Sequence, residues 1–126
     1  MSNVMVKWHP NIVLIAHQSL AASDSVDEDL DFWGKGYNAV VAQLKVLFNG
    51  GATGDVTLNV YASCDEGVTF DKTAKFTKTV SCTAGTEKAE SVEVSGIPYG
   101  KFEIVNADGA KACDIKLTLA GRFWGG

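Results

Sequence analysis

Apolar and polar residues alternate with a period of two along most of this chain, the spacing of β-strands with one buried face. In residues 40–48, one face of the predicted strand carries Val40, Ala42, Leu44, Val46 and Phe48. Near the end of the chain, Ile115, Leu117 and Leu119 alternate in the same way with Lys116, Thr118 and Ala120. These segments are therefore predicted to be half-buried strands.

Turn signals rich in glycine, asparagine and aspartate separate these segments, and no stretch keeps the apolar spacing of a helix. The pattern predicts about eight strands. They lie at residues 11–17, 25–32, 40–48, 56–62, 76–82, 87–94, 101–106 and 115–120. The predicted fold class is all-β, an antiparallel β-sandwich in which a jelly roll is favoured over an immunoglobulin-like order.

The chain length predicts one domain. A chain of 126 residues is long enough for one compact core and too short for two. Hydrophobic residues make up 46% and charged residues 21%, the composition of a globular protein. We expect residues 1–10 to form an N-terminal arm, and residues 11–126 to form a single sandwich domain with a short C-terminal tail.

The charge balance argues against nucleic-acid binding. The formal net charge is −4, so the chain lacks the positive field that supplies most nonspecific affinity for nucleic acid. Arg122 is the only arginine among 11 basic residues, and lysines do not form the bidentate contacts with phosphate that arginine forms. No apolar run reaches the roughly 18 residues of a membrane helix, and no signal peptide is recognisable. We expect no nucleic-acid partner and no membrane partner.

The segment from Ser63 to Phe70 fits the pattern S-x-D-x-G-x-T-[FW], a hairpin signature known as an Asp box. Asp65 can accept hydrogen bonds from backbone N–H groups of its own turn, and Gly67 can adopt a positive φ. Thr69 is expected to tie the return strand back, and Phe70 to cover the hairpin. These residues, Ser63, Asp65, Gly67, Thr69 and Phe70, predict a structural turn and not a reactive site.

No residue pattern predicts catalysis. His9 and His17, the only histidines, lie in no nucleophile or metal motif. The odd number of cysteines and the absence of a signal peptide favour reduced thiols, although a bridge between Cys82 and Cys113 stays open. No C-x-x-C pair predicts a zinc site. We expect no enzyme activity, no catalytic residue, no metal and no cofactor.

Two groups of residues are candidates for contacts with partners. Asp27, Asp29 and Asp31 lie on one side of a predicted strand, and they fit a solvated edge, a surface for a basic partner or a calcium site. Aromatic residues near both termini fit the anchors of an assembly interface better than a sugar platform, because they are not spaced along one strand face. The predicted interface comprises Trp8, His9, Pro10, Asp27, Asp29, Asp31, Arg122, Phe123 and Trp124.

The order of these features resembles that of small virion proteins of tailed bacteriophages. An apolar stretch at Ile12 to Ala16 is followed by Ser19 to Ala22, and a strand ends in Asn49 to Gly54. The pattern Val-x-Leu-x-Val-Tyr-x-Ser comes next and leads into a D-x-G turn. A later strand begins near Ile97 to Tyr99. The resemblance implies a β-sandwich or jelly-roll protein that decorates the head shell, or a related neck or tail component.

The resemblance implies a non-enzymatic structural protein of the virion, and a capsid decoration or cement protein in particular. Its partners would be the major capsid protein or other virion proteins and further copies of itself, and assembly would take place in the host cytoplasm. The alternative function is a carbohydrate- or receptor-binding module in the neck or tail. In that alternative, Trp33, Tyr61 or Tyr99 would stack against a sugar ring.

Overall fold

A computed structural model describes residues 8–123 of the chain, which form strands and one short helix. The elements are β1 (Trp8–Leu20), β2 (Ser25–Asp31), α1 (Phe32–Lys35), β3 (Tyr37–Phe48), β4 (Val56–Ser63), β5 (Phe76–Val80), β6 (Glu87–Ser95), β7 (Tyr99–Asn106) and β8 (Cys113–Phe123). Each of the predicted strands overlaps an observed one, although the bounds differ, most of all in β1 and β8. Within residues 8–123, no helix has the length and apolar character needed to cross a membrane.

The strands form two antiparallel sheets. The first has the order β1-β8-β3-β6 and the second has the order β2-β7-β4-β5, so successive strands mostly alternate between the sheets. This order is that of a jelly roll, and the predicted fold class is confirmed. The edges of the two sheets are β1 and β6 in the first and β2 and β5 in the second.

The core lies between the two sheets and follows the period-two pattern of the sequence. In β3, Leu44 and Val46 are fully buried and Lys45 between them is exposed. Leu58 of β4 and Phe102 of β7 close the core from the second sheet. Because side chains of a strand alternate between its faces, one face of each sheet supplies the core.

The helix α1 is a single turn that the sequence pattern does not predict. Asp31 caps its N-terminus by accepting a hydrogen bond of 2.8 Å from the Gly34 N–H. Gly36 ends the helix with a φ of 77°, a left-handed conformation that glycine adopts without strain. The predicted second strand therefore ends at Asp31, and the chain turns there into β3.

Strand β1 extends further toward the N-terminus than the sequence predicts. Trp8, His9 and Pro10, which the sequence predicts to lie in an N-terminal arm, are its first three residues, and Trp8 pairs with Arg122 of β8. The sequence does not predict this continuation because Pro10 lacks the backbone N–H that a regular strand uses, and in the structure Asn11 interrupts the extended backbone with a φ of 59°. Pairing with β8 shifts register after His9, Val13 and Ile15.

A network of hydrogen bonds closes one end of the sandwich, where loops 21–24, 49–55 and 107–112 meet. The Asn106 amide is 1% exposed and donates to the carbonyls of Leu20, Ala21 and Lys111 at 3.0 to 3.4 Å. The Asp108 carboxylate accepts from the backbone N–H groups of Thr53, Ala110, Gly54 and Lys111. These four donors hold the pKa of Asp108 far below its ordinary value. We call this the closed end.

Candidate functional site

Aromatic side chains concentrate at the opposite end of the sandwich, where β1, β3 and β7 begin and β2, β4 and β8 end. Strand pairing brings these termini together, because Tyr37 pairs with Phe123, and Tyr99 pairs with Asp31 on one side and Ser63 on the other. We call this the aromatic end. Its aromatic residues include Trp8, Trp33, Tyr37, Phe70, Tyr99 and Phe123.

In the first sheet, the terminal residues of the predicted interface form a cluster. The His9 ring lies nearly parallel to the Phe123 ring at 6.1 Å, and His9 Nδ1 lies 2.8 Å from the Tyr37 hydroxyl oxygen. The Arg122 guanidinium lies 5.8 Å from the centre of the Trp8 ring and donates to the Asn38 amide oxygen at 2.9 Å. The structure therefore brings together Trp8, His9, Arg122 and Phe123, and Trp124 lies outside the described residues.

The three predicted interface carboxylates lie in the other sheet. Asp27 and Asp29 are exposed on the edge strand β2, where Asp29 pairs with Lys101 of β7. Asp31 is also exposed, but it caps α1 and faces a cavity at the aromatic end. Among residues 8–123, no group of three or more acidic, histidine or cysteine side chains is placed to hold a metal ion.

The Asp-box residues form a hydrogen-bonded turn. Asp65 Oδ1 accepts from the Thr69 N–H and the Ser63 hydroxyl, both at 2.7 Å, and these bonds lower the pKa of Asp65. Gly67 has a φ of 88° and donates its N–H to the Ser63 hydroxyl at 2.9 Å. Phe70 packs against Tyr99 with ring centres 6.0 Å apart.

The return strand does not begin at this turn. It begins at Phe76, and the intervening segment is held to β4 by hydrogen bonds from the Asp71 N–H to the Ala62 carbonyl and from the Lys75 N–H to the Val60 carbonyl. Thr69 therefore closes the turn through its own N–H and does not tie back a strand. The reason is that the loop between β4 and β5 spans residues 64–75, so residues 71–75 separate the end of the Asp box from β5.

A cavity of about 480 Å³ opens between α1, the Asp-box turn and the loop before β7. Trp33 stands at its wall with 72% of its surface exposed, although its neighbour Phe32 is fully buried. The lining residues are Asp31, Trp33, Gly34, Cys64, Glu66, Pro98 and Tyr99. The structure thus brings together Trp33 and Tyr99, two of the three predicted sugar-stacking residues.

Tyr61, the third predicted sugar-stacking residue, does not line this cavity. Its hydroxyl donates to Glu103 at 3.3 Å, and the Lys101 ammonium lies 5.1 Å from the centre of its ring. The sequence does not predict that Glu66 lines this cavity. A signal for it exists in the motif, because an Asp box places a side chain between its aspartate and its glycine, at the exposed tip of the turn.

The three cysteines are unpaired in the structure, so no bridge joins Cys82 to Cys113. Cys64 is exposed, Cys82 is partly buried, and burial raises the pKa of the Cys113 thiol to about 11. Because only the thiolate reacts quickly, a raised pKa and burial both protect Cys113 at neutral pH.

We expect a thiol-specific disulfide reagent at pH 8 to modify Cys64 rapidly, Cys82 more slowly and Cys113 only after unfolding in denaturant. The modified cysteines are identified by mass spectrometry of the digested protein. A disulfide would instead leave two thiols unreactive in denaturant until a reductant is added. Equal, rapid reaction of all three thiols in the native protein would show that Cys113 is not buried.

No protein-family model matches this chain, and no curated protein matches its sequence. Solved structures share its fold. A Clostridium thermocellum endo-1,4-β-D-xylanase 10B, solved as its CBM22-1 and GH10 modules with xylohexaose, aligns with a TM-score of 0.61 and 16% identity over 93% of this chain. This chain spans 24% of that protein, about a quarter of its length.

Two structures of assembling proteins are also similar. The subunit of disulfide-linked pili that form Bacillus endospore appendages has a TM-score of 0.51 and 18% identity, over 97% of this chain and 92% of its own. A protein of infectious bursal disease virus, Gx strain, has a TM-score of 0.50 and 15% identity, over 94% of this chain and 32% of its own. At these identities, the similarities show a β-sandwich fold shared with a virus-particle protein, a pilus subunit and a xylanase.

Proposed function

We propose that this chain is a non-enzymatic structural protein of a bacteriophage virion, and specifically a decoration protein of the head. It forms homo-oligomers, binds the major capsid protein or another virion protein, and joins the particle in the host cytoplasm. The observation that carries this proposal is the character of β1, a 13-residue edge strand without a single charged side chain.

The four sheet edges differ sharply in charge. Strand β2 carries Asp27, Glu28, Asp29 and Asp31, and β6 carries three glutamates and Lys88. Strand β5 is only five residues long and contains Lys78. Charged or short edge strands resist pairing with other chains, whereas a long uncharged edge invites contact. In a protein with net charge −4, β1 is the edge at which copies approach without repulsion.

Exposed apolar side chains also indicate that β1 is the interface. Trp8 is 42% exposed and Val13 is 48% exposed, and both belong to β1. The pairing of β1 with β8 shifts register three times, so β1 is a bulged strand, and a bulged edge favours contact through side chains over a simple extension of the sheet. Trp8 belongs to the cluster that contains Arg122 and Phe123. Tryptophan and arginine are frequent anchors of interfaces.

The mechanism is stabilisation by linkage. A protein that binds the assembled shell and not its separate subunits shifts the equilibrium away from disassembly. No catalytic group is needed for this function, because the binding free energy alone supplies the effect. The occurrence of the same fold in a virus-particle protein and a pilus subunit is compatible with it.

A charge introduced into β1 tests the proposal. Val13→Lys places an ammonium group on the proposed interface, and we expect it to weaken self-association by about thirtyfold or more, as for a loss of about 2 kcal/mol. The matched control is Val68→Lys, because Val68 is 84% exposed but lies in the Asp-box loop. Sedimentation velocity measures self-association of the wild type and of both variants.

Binding to particles is the second measurement. Phage heads that lack this protein are expected to bind the wild type and Val68→Lys, and to bind Val13→Lys weakly. Melting temperatures of the variants confirm that they fold, since Val13 is not part of the core. If the wild type is monomeric and does not bind heads, or if Val13→Lys behaves as the wild type in both measurements, the proposal is wrong.

A further inference from the structure

We propose that the cavity at the aromatic end, between Trp33 and Tyr99, is a binding site for a neutral oligosaccharide, with Trp33 as the platform on which a sugar ring stacks. This activity goes beyond assembly and does not depend on it. The cavity is lined by α1, the Asp-box turn and the loop before β7. None of its lining residues belongs to β1, so occupation of β1 by a neighbour leaves the cavity lining free.

Trp33 is exposed although its backbone is firmly held. Its N–H donates to the Pro98 carbonyl at 3.3 Å, and its carbonyl accepts from the Gly36 N–H at 3.1 Å. Asp31 caps the same turn. The capped turn directs Phe32 into the core and Trp33 into solvent, where its large apolar ring loses the stabilisation that burial would give. A flat apolar ring held in this way matches the C–H face of a pyranose.

Trp33 also borders a second hollow. This cavity of about 330 Å³ is lined by Trp33, Tyr37, Asn38, Gly96, Ile97 and Pro98. A ligand that stacks on Trp33 and reaches into both hollows has to be longer than one ring. The arrangement therefore favours a short oligosaccharide over a monosaccharide.

The Asp-box turn supplies the opposite wall of the first cavity. Gly67 lies so close to Tyr99 that a Cβ atom at this position would be 2.7 Å from the ring, so the turn fixes the position of Tyr99. Glu66 precedes it with a φ of 58°, a conformation that side chains other than asparagine, aspartate and histidine seldom adopt. Such conformations concentrate at binding sites, where the surrounding structure maintains them.

The polar groups of the cavity select the ligand by charge. Asp31 and Glu66 are hydrogen-bond acceptors when ionised, and each carboxylate has more acceptor sites than the protein occupies. The Gly34 N–H uses one oxygen of Asp31. Sugar hydroxyls supply the matching donors. The lining contains no lysine or arginine, so sialylated, uronic-acid and phosphorylated glycans are repelled.

The size of the cavity fits this class of ligand. Small-molecule sites in proteins commonly enclose about 300 to 1,000 Å³ and combine apolar walls with a few polar groups. Both cavities beside Trp33 fall in this range. Affinity is expected to be modest, with a Kd of about 1 mM or tighter, because a surface cavity leaves part of the ligand in water.

A glycan array that carries neutral and acidic oligosaccharides identifies the ligand, and calorimetric titration with the bound oligosaccharide measures its affinity. We expect binding to neutral members only. Trp33→Ala is expected to weaken binding by at least tenfold, Trp33→Phe is expected to retain part of it, and Glu66→Gln is expected to weaken it severalfold. The matched control is Val68→Ala, which changes an exposed side chain of the same turn that does not line the cavity.

Because Trp33 is exposed, Trp33→Ala is expected to fold and melt as the wild type does, so a loss of binding reports on the site. The proposal is overturned if no neutral glycan binds, if acidic glycans are preferred, or if Trp33→Ala binds as well as the wild type. It is also overturned if choline, a quaternary ammonium ion that aromatic rings and carboxylates attract, binds at Trp33 and neutral glycans do not.

Discussion

Replacement of Asn106 by alanine is expected to lower the free energy of unfolding by about 3 kcal/mol, among the largest effects of any polar substitution in this chain. The Asn106 amide donates to three backbone carbonyls and its oxygen accepts from the Asp108 N–H at 3.0 Å. Alanine removes all of these bonds at a position that is 1% exposed. The partners that stay buried then lack hydrogen bonds, which is the larger part of the loss.

Urea unfolding followed by tryptophan fluorescence measures this effect. The matched control is Asn59→Ala, because Asn59 lies in the neighbouring strand β4 and its side chain accepts one exposed hydrogen bond, from Thr77. We expect the control to change stability by no more than about 0.5 kcal/mol. Equal effects of the two substitutions would show that the Asn106 network does not hold the closed end together.

Replacement of Gly54 by alanine is the second substitution with a large expected effect, a loss of about 3 kcal/mol. A Cβ atom at Gly54 would lie 2.5 Å from both the N and the Cα atoms of Asp108. Backbone atoms cannot rotate away as a side chain can, so loop 49–55 and loop 107–112 would have to separate. That movement would also break the hydrogen bonds from Thr53 and Gly54 to the Asp108 carboxylate.

Gly50→Ala is the control for Gly54→Ala, since it makes the same chemical change in the same loop. No atom beyond its chain neighbours lies within 4 Å of a Cβ at Gly50, so we expect stability to change by about 0.5 kcal/mol or less. Thermal unfolding of both variants tests this contrast. Comparable melting temperatures for the two variants would contradict the close approach of the two loops.

These two predictions separate stability from binding. Asn106 and Gly54 lie at the closed end, and we expect their variants to lower the free energy of unfolding of the whole domain. Trp33 and Val13 are exposed at other surfaces, and we expect their variants to lose binding at unchanged stability. A variant of Trp33 that unfolds the protein would show that the two ends are not independent in this way.

The strands were predictable because their pattern is local. Alternation in β3 and β8 places Leu44 and Leu117 in the core, and both are fully buried. The acidic edge was predictable for the same reason, since Asp27 and Asp29 cannot face the core without partners. The helix α1 escaped prediction because one turn is too short to show helical spacing, although Asp31 and Gly36 carry its capping signals.

The beginning of β1 was less predictable than its middle. Pro10 usually marks the end of a regular strand, and the sequence around it has no alternating pattern. Only the pairing of Trp8 with Arg122, and the packing of His9 against Phe123, show that this segment continues the sheet. Such contacts join residues more than 100 positions apart, and a local pattern does not contain them.

The sequence alone determined the all-β class, the approximate positions of the strands and the Asp-box turn, because each of these depends on residues close together along the chain. The tertiary structure decided which strands and loops are neighbours in space. Period-two alternation assigns a side chain to a face and says nothing about the order of strands in a sheet. The order β2-β7-β4 sets Asp31 and Ser63 on either side of Tyr99, and for this reason Trp33, Glu66 and Tyr99 share one cavity.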